Sequence, residues 1–332
     1  MNFKNMTKQD YWKVKNTAEL PDFIIGGAMK SGTTSLHQIL NKHPDVYMAK
    51  GEIGFFDIDN ILEHPDFNFF DKKNKWNTQK IENDPEILWT WYYKKFKASN
   101  GQLKGEDSTT YLASPIAAKR IGMQSKDIKM IFVLRHPTSR TLSNYFHLLK
   151  SGRAEYNLED TLQYNPSSII RRSLYKQQLE QYYKYLKPKN IKVILFEELI
   201  KNPELIISQL SSYLNISNHK FTIEDLKQHS NKTQYPKSEK IQLMYNRFNR
   251  NLGKSRYSNS LPIKYQVENN SIGFKQKVLK KIHNKINPKS YKYKPTVNES
   301  TKKYLDDFFR KEMKGIDKLT NMNIYNEWFP EL

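Results

Sequence analysis

Phe23-Ile24-Ile25-Gly26-Gly27-Ala28-Met29-Lys30-Ser31-Gly32-Thr33-Thr34-Ser35-Leu36 is the stretch whose reading decides the fold. The apolar run 23–25 predicts a buried strand. A glycine-bounded turn follows, and 35–40 has the spacing of a helix that packs one face on a sheet. Strand, glycine-rich loop and helix start make a phosphate cradle, because loop N–H groups converge and the helix dipole favours an anion at its start.

The loop approaches the nucleoside-triphosphatase pattern G-x-x-x-x-G-K-[ST] but departs from it at one place. Gly27 and Gly32 are correctly spaced, but Thr33 stands where the lysine belongs, and the lysine sits earlier, at Lys30. A second departure agrees. The apolar run 128–134 ends in Arg135, where such a protein carries the aspartate that holds Mg²⁺. A cation at this strand end points to another phosphate rather than a metal.

These residues carry a family resemblance. Lys30-Ser31-Gly32-Thr33-Thr34 resembles the 5′-phosphosulfate loop of sulfotransferases that use 3′-phosphoadenosine 5′-phosphosulfate (PAPS). Leu134-Arg135-His136-Pro137-Thr138-Ser139-Arg140-Thr141-Leu142-Ser143-Asn144-Tyr145 resembles their 3′-phosphate motif, an arginine and a downstream serine spanning a strand end and the next helix. The likeness is to the bacterial and heparan-sulfate-type branch, strongest over 21–214 and again at the C-terminal end. It implies an α/β fold with a central, mostly parallel sheet and helices on both faces. It also implies sulfuryl transfer from PAPS to a hydroxyl or amine, release of the nucleotide product PAP, and no metal. Two rival readings are a P-loop-type kinase or NTPase and a basic nucleic-acid-binding protein that reuses the fold.

Sulfuryl transfer asks mainly for positioning and charge stabilisation. Lys30 is the candidate for neutralising the bridging oxygen. Ser31, Gly32, Thr33, Thr34 and Ser35 are expected to bind the 5′-phosphate through N–H and hydroxyl groups. Arg135 and Ser143 are expected to bind the 3′-phosphate, where arginine offers a planar fork for phosphate oxygens. Lys232 is the candidate for a nucleotide lid. Glu52 is the candidate base, just after the second expected strand. Glu52-Ile53-Gly54-Phe55-Phe56 resembles the family's Glu-x-x-Phe-Phe segment, whose glutamate deprotonates the acceptor. Gly54 stands where many relatives have histidine, and Gly51 where the pattern has lysine. A glutamate needs partial burial to serve as a base near neutral pH. Asp107, Glu106 and His147 are the alternative bases. Phe55, Asp107, Tyr111 and His147 are candidate acceptor contacts. Asp107 occupies the place of a lysine in glycan-sulfating relatives, which argues for a small natural-product acceptor over an acidic glycan.

Composition bounds the rest. The 332 residues suffice for one large α/β domain, and 37% hydrophobic residues suffice for a core. There are no cysteines, so disulfide staples and cysteine-ligated metals are excluded. The first ten residues lack an apolar leader, and no apolar run is long enough to span a bilayer, so a soluble, cytoplasmic enzyme is expected. The net charge of +21 is spread along the chain and reads as solvated lysines, with no nucleic-acid-binding signature.

One domain is expected over 1–332, with a core at about 21–226, a variable helical or lid region at about 231–295 and a C-terminal closing helix at about 296–332. Tyr11, Trp12 and Val14 are the expected N-terminal anchors. The run 46–49 predicts a second strand, 58–80 a long loop, 88–96 an aromatic helix and 191–196 a later strand. A stripe from Tyr304 to Leu319 predicts one helix, with Trp328 beyond it.

Overall fold

The computed structural model describes residues 9–14, 16–64, 68–70, 76–78, 85–99, 101–218, 221–226, 234–249 and 274–331. The strands are β1 (Phe23–Gly27), β2 (Val46–Glu52), β3 (Asn68–Phe70), β4 (Trp76–Thr78), β5 (Leu103–Asp107), β6 (Lys129–Leu134), β7 (Ile191–Leu195), β8 (Tyr235–Pro236) and β9 (Lys289–Ser290). The first eight helices are α1 (Thr33–Leu40), α2 (Pro85–Tyr93), α3 (Pro115–Gly122), α4 (Pro137–Lys150), α5 (Leu158–Tyr164), α6 (Ser167–Ile170), α7 (Tyr175–Tyr185) and α8 (Phe196–Lys201). They are followed by α9 (Pro203–Leu214), α10 (Ile223–Leu226), α11 (Glu239–Asn249), α12 (Phe274–Ile286), α13 (Glu299–Glu312), α14 (Ile316–Thr320) and α15 (Ile324–Trp328).

The central sheet has five strands in the order β2-β5-β1-β6-β7, and every neighbouring pair is parallel. Strand alternation sorts its side chains onto two faces. Phe23, Ile25, Val46, Met48, Ile131 and Val133 pack with Leu36 and Ile39 of α1 and Ile207 and Leu210 of α9. Ile24, Met130, Phe132 and Leu134 face the other way, into a larger core with α2, α3, α7 and the C-terminal helices. Both faces are therefore covered, as an all-parallel sheet requires. Proline at the first turn starts α3 and α4, where its missing N–H costs nothing, and the Ser114 hydroxyl caps α3 by accepting from the Ala117 N–H.

Four expectations are corrected. β2 runs three residues further than 46–49, so Glu52 is its last residue rather than one beyond it. The expected loop 58–80 contains the antiparallel pair β3–β4, and its first part is a folded turn fastened by the Arg120 guanidinium on both Asp59 carboxylate oxygens, at 2.6 and 2.8 Å. The stripe from Tyr304 to Leu319 is two helices. Gly315 adopts φ +85° between them, a left-handed turn that a side chain would strain. Phe96 lies beyond the end of α2, though it is buried. Tyr11, Trp12 and Val14 are buried as expected, and Leu305, Phe309, Ile324 and Trp328 join the same core from the C-terminal end. Part of the region 231–295 is helical: α11 and α12 flank 250–273, which lie outside the described residues.

Candidate active site

In a parallel sheet with this topology, ligands bind at the carboxyl ends of the strands. Four neighbouring strands place chemistry there. β2 ends at Glu52, β5 at Asp107, β1 runs into the loop holding Lys30, and β6 is followed by Arg135.

The loop after β1 turns through Lys30 (φ +71°) and Gly32 (φ +85°) before α1 begins. A Cβ on Gly32 would come within 2.6 Å of the Phe196 ring, so the position needs glycine for space as well as conformation. With glycine at the N-cap, no side chain caps the first turn of α1, which leaves the N–H groups of Thr33 and Thr34 for an anion. Two of the expected phosphate donors are corrected. The N–H of Ser31 is bonded to Ala28 O at 3.1 Å and that of Ser35 to Gly32 O at 3.0 Å. Those residues have only their hydroxyls to offer, and the Ser31 side chain is fully buried. Thr34 is exposed and Thr33 is buried.

Lys30 is half-buried, and burial, together with the charges of Lys150 and Arg135, lowers its pKa, while Glu52 raises it. Arg135 Nη1 donates to the Lys30 carbonyl at 3.3 Å, which ties the loop to the end of β6. Arg135 and Ser143 line one cavity of about 650 Å³, together with Ser139, Tyr235, Lys294 and Lys302. That volume suits a nucleotide-sized ligand, and its donor set of hydroxyls and cations suits phosphate. Arg140, one turn into α4, is fully buried and donates to the Ser173 hydroxyl and the Ile169 carbonyl. Burial pushes its pKa down to about 10, with Arg172 and Arg135 adding to the effect.

Glu52 is solvent-exposed at the end of β2. Thr109 Oγ1 donates to its Oε2 at 3.0 Å. Desolvation, then the charge of Asp107, raises its pKa from 4.5 to about 7. Asp107 pairs in register with Glu52 across β2 and β5, is 5% exposed, and lies 3.5 Å from His37 Nδ1 on α1. Burial raises its pKa as well.

Two expected acceptor-side residues lie elsewhere. Phe55 is fully buried, stacked on Tyr92 at 4.1 Å, so it is core and not a pocket wall. Tyr111 is also fully buried and donates to Glu106 Oε1 at 2.6 Å while accepting from the Phe56 N–H at 3.0 Å. Glu106 faces away from the cleft and accepts from Tyr92, Tyr111 and Ser108, at 2.5, 2.6 and 2.7 Å, which removes it as a base. Its surroundings still matter to the site, because Ser108 Oγ in turn accepts from the N–H groups of Ile53 and Gly54, at 3.2 and 2.9 Å, and fixes the backbone just after Glu52. His147 is half-buried on the last turn of α4. Lys232 lies outside the described residues.

Sequence reading missed Thr109, His37, Lys294, Lys302 and a buried group made by Asp57, Glu63, His64 and Arg172. His64 Nε2 sits 2.8 Å from Asp57 Oδ1, and its ring comes within 3.2 Å of where a Cβ on Gly54 would stand. Among the described residues no helix is long and apolar enough to cross a membrane.

Comparison with known proteins agrees with this arrangement. Residues 21–220 match the sequence profile described as the sulfotransferase family. The human heparan sulfate glucosamine 3-O-sulfotransferase 5 is 29% identical over 210 residues, covering 60% of this chain and 54% of that protein. The membrane-associated sulfotransferase kil1 of Dictyostelium discoideum is 33% identical over 151 residues, covering 42% of this chain and 27% of that protein. The chain thus spans about half the length of the first of these and less of the second. A sulfotransferase structure from Alicyclobacillus acidocaldarius overlaps 64% of this chain and 87% of its own, with 27% identity and a TM-score of 0.49. The matched segment holds all five strands of the central sheet, the phosphate loop and the helices up to α9, and the chain belongs to the sulfotransferase family.

Proposed function

We propose that the protein transfers a sulfuryl group from PAPS to a hydroxyl or amine of a small acceptor, an uncharged or cationic natural product, and releases PAP. One observation supports this above the others. Glu52, Asp107, the lysine of a phosphate loop and Arg135 stand at the carboxyl ends of four neighbouring strands, and Arg135 lines a cavity with Ser143.

When bound, PAPS supplies the sulfuryl group and a phosphate leaving group. Arg135 and Ser143 would hold its 3′-phosphate, and the start of α1 with the Thr33, Thr34 and Ser35 hydroxyls its 5′-phosphate. Lys30 would neutralise charge on the bridging oxygen, a contact that strengthens as the bond breaks. Glu52 accepts the acceptor's proton, with Thr109 orienting its carboxylate. Glu52 and Asp107 make the acceptor side acidic, which disfavours a polyanionic glycan and favours a neutral or cationic group. The absence of cysteine fits the reducing conditions of a cytoplasm.

The test is thermal shift with PAP, Mg-ATP and an oligonucleotide, followed by transfer of labelled sulfuryl from PAPS to a panel of alcohols and amines. Stabilisation by PAP without Mg²⁺ is expected. Stabilisation by Mg-ATP alone would favour a kinase or NTPase, and by the oligonucleotide alone a nucleic-acid-binding protein.

A further inference from the structure

The Glu63 carboxylate is fully buried and takes two arginines, Arg171 and Arg172. Arg171 also donates to the Leu62 carbonyl at 3.1 Å. Arg172 is the second cation on this carboxylate. Its Nε sits 2.7 Å from Glu63 Oε2, and its Nη2 donates to the Glu63 carbonyl at 3.2 Å. The remaining arm turns the other way. Nη1 lies 2.9 Å from the thioether sulfur of Met29, the residue before Lys30. A thioether is a weak acceptor, a poor partner for a guanidinium. The side chain of Arg172 is 20% exposed, and its charge reaches both Glu52 and Arg140. One edge of the guanidinium thus lies against Glu63, and the other touches Met29 of the phosphate loop.

We propose that Arg172 is a catalytic residue whose Nη1 edge leaves Met29 to bind the oxygens of the sulfuryl group while it passes from nucleotide to acceptor. The proposal rests on the reaction given above. In that step an acceptor lone pair forms the new O–S bond. The S–O bond to the 5′-phosphate breaks with its electron pair kept by the phosphate oxygen, and the acceptor's proton goes to Glu52. The sulfuryl oxygens carry negative charge throughout, and Lys30, occupied at the bridging oxygen, leaves them without a planar donor. A guanidinium supplies two parallel N–H groups for such oxygens. An anionic group on the acceptor is the less suitable partner, because Glu52 and Asp107 make that side acidic, whereas Met29 belongs to the nucleotide side.

The experiment compares Arg172→Gln and Arg172→Lys with the wild type on an alcohol acceptor, reading kcat, acceptor KM, PAP affinity, melting temperature and the pH profile. Arg172→Lys retains a cation for Glu63, so it tests the guanidinium in a folded protein. Arg172→Gln is expected to lower kcat by about 10²–10³-fold, the scale for losing one oxyanion donor, with PAP affinity and KM within a few-fold of wild type. Arg172→Lys should recover only part of the loss. The acid limb of Arg172→Gln should also move to higher pH. Glu52 is faced by Asp107 from β5, Lys30 from the loop after β1, and His64 and Arg172, and this substitution removes one of its cations. Full turnover in either variant, a loss confined to acceptor KM, or an unmoved acid limb would overturn the proposal. Wild-type protein that moves no sulfuryl from PAPS in the same assay sinks the reaction itself, and the proposal with it.

Discussion

The pH dependence of turnover is the sharpest consequence of the geometry at Glu52. An ordinary glutamate is ionised well below neutral pH, but burial and the neighbouring Asp107 raise this one to about 7. A general base works only when ionised. Roughly a tenth of Glu52 would then be ionised at pH 6 and about a hundredth at pH 5, so turnover should fall about tenfold for each pH unit below the midpoint. Asp107→Asn removes the like charge beside it, and the midpoint should move down toward the ordinary carboxylate range. Glu52→Gln keeps size and hydrogen bonding but accepts no proton, so turnover should drop roughly 10²–10⁴-fold and the acid limb should vanish. The assay is initial-rate sulfuryl transfer from PAPS to an alcohol between pH 4.5 and 9, with PAP affinity measured at each pH. An alcohol avoids the ionisation an amine would add. A wild-type limb centred near 4.5, or a midpoint that Asp107→Asn leaves in place, would refute the electrostatic reasoning. Unchanged turnover in Glu52→Gln would remove Glu52 as the base, and Asp107 and His147 would be tested next.

Three further outcomes follow, two from the same cleft and one from the core beneath it. Lys30→Ala should depress turnover by orders of magnitude while PAP still binds, measured by single-turnover transfer and calorimetry, because its contact strengthens in the transition state. Arg135→Ala and Ser143→Ala should weaken PAP far more than the analogue lacking the 3′-phosphate, by roughly 1.5–3 kcal/mol for each charge-assisted bond; equal losses for both nucleotides would mean general disruption. Glu106 is held neutral by burial up to about 7, so the stability linked to its protonated form is complete below its unfolded value and is lost as pH rises through 7. Urea unfolding from pH 5 to 8 should therefore show wild-type stability falling, by at most about 3 kcal/mol from this group, and Glu106→Gln should lack that component.

The sheet and the phosphate loop were legible because both follow short-range rules. Apolar runs marked the strands, and Gly27, Lys30 and Gly32 marked the turn that joins strand to helix. Arg135 and Ser143 were legible as a pair because strand end and helix turn fix their separation, and one cavity does hold both. Facing direction was harder to read. Glu106 and Asp107 are adjacent, yet strand alternation sends one into the tyrosine cage and the other beside Glu52 and His37. Phe55 and Tyr111 flank motif residues and still belong to the core. Arg172 was invisible for a different reason. Its partners Met29 and Glu63 are 143 and 109 positions away in sequence, and only the fold brings them together. The break at Gly315 was missed because the apolar stripe continues through it in sequence while the backbone does not.

The strand order has a further consequence. Read across the sheet edge from β2 to β5 to β1 to β6, the charged groups run Glu52, Asp107, Lys30, Arg135. Neighbouring strands are about 4.8 Å apart, so this row spans roughly 14 Å. The cleft is thus polarised along a line perpendicular to the strands, with its negative pole at Glu52 and Asp107 and its positive pole at Lys30 and Arg135. The proposed sulfuryl transfer would move a proton toward the first pole and an electron pair toward the second. Both displacements run with the fixed field, and the field comes from backbone topology, present before any ligand arrives. Exchanging Lys30 and Glu52 would keep the net charge and reverse that polarity, so the two residues cannot trade places as an ordinary ion pair can.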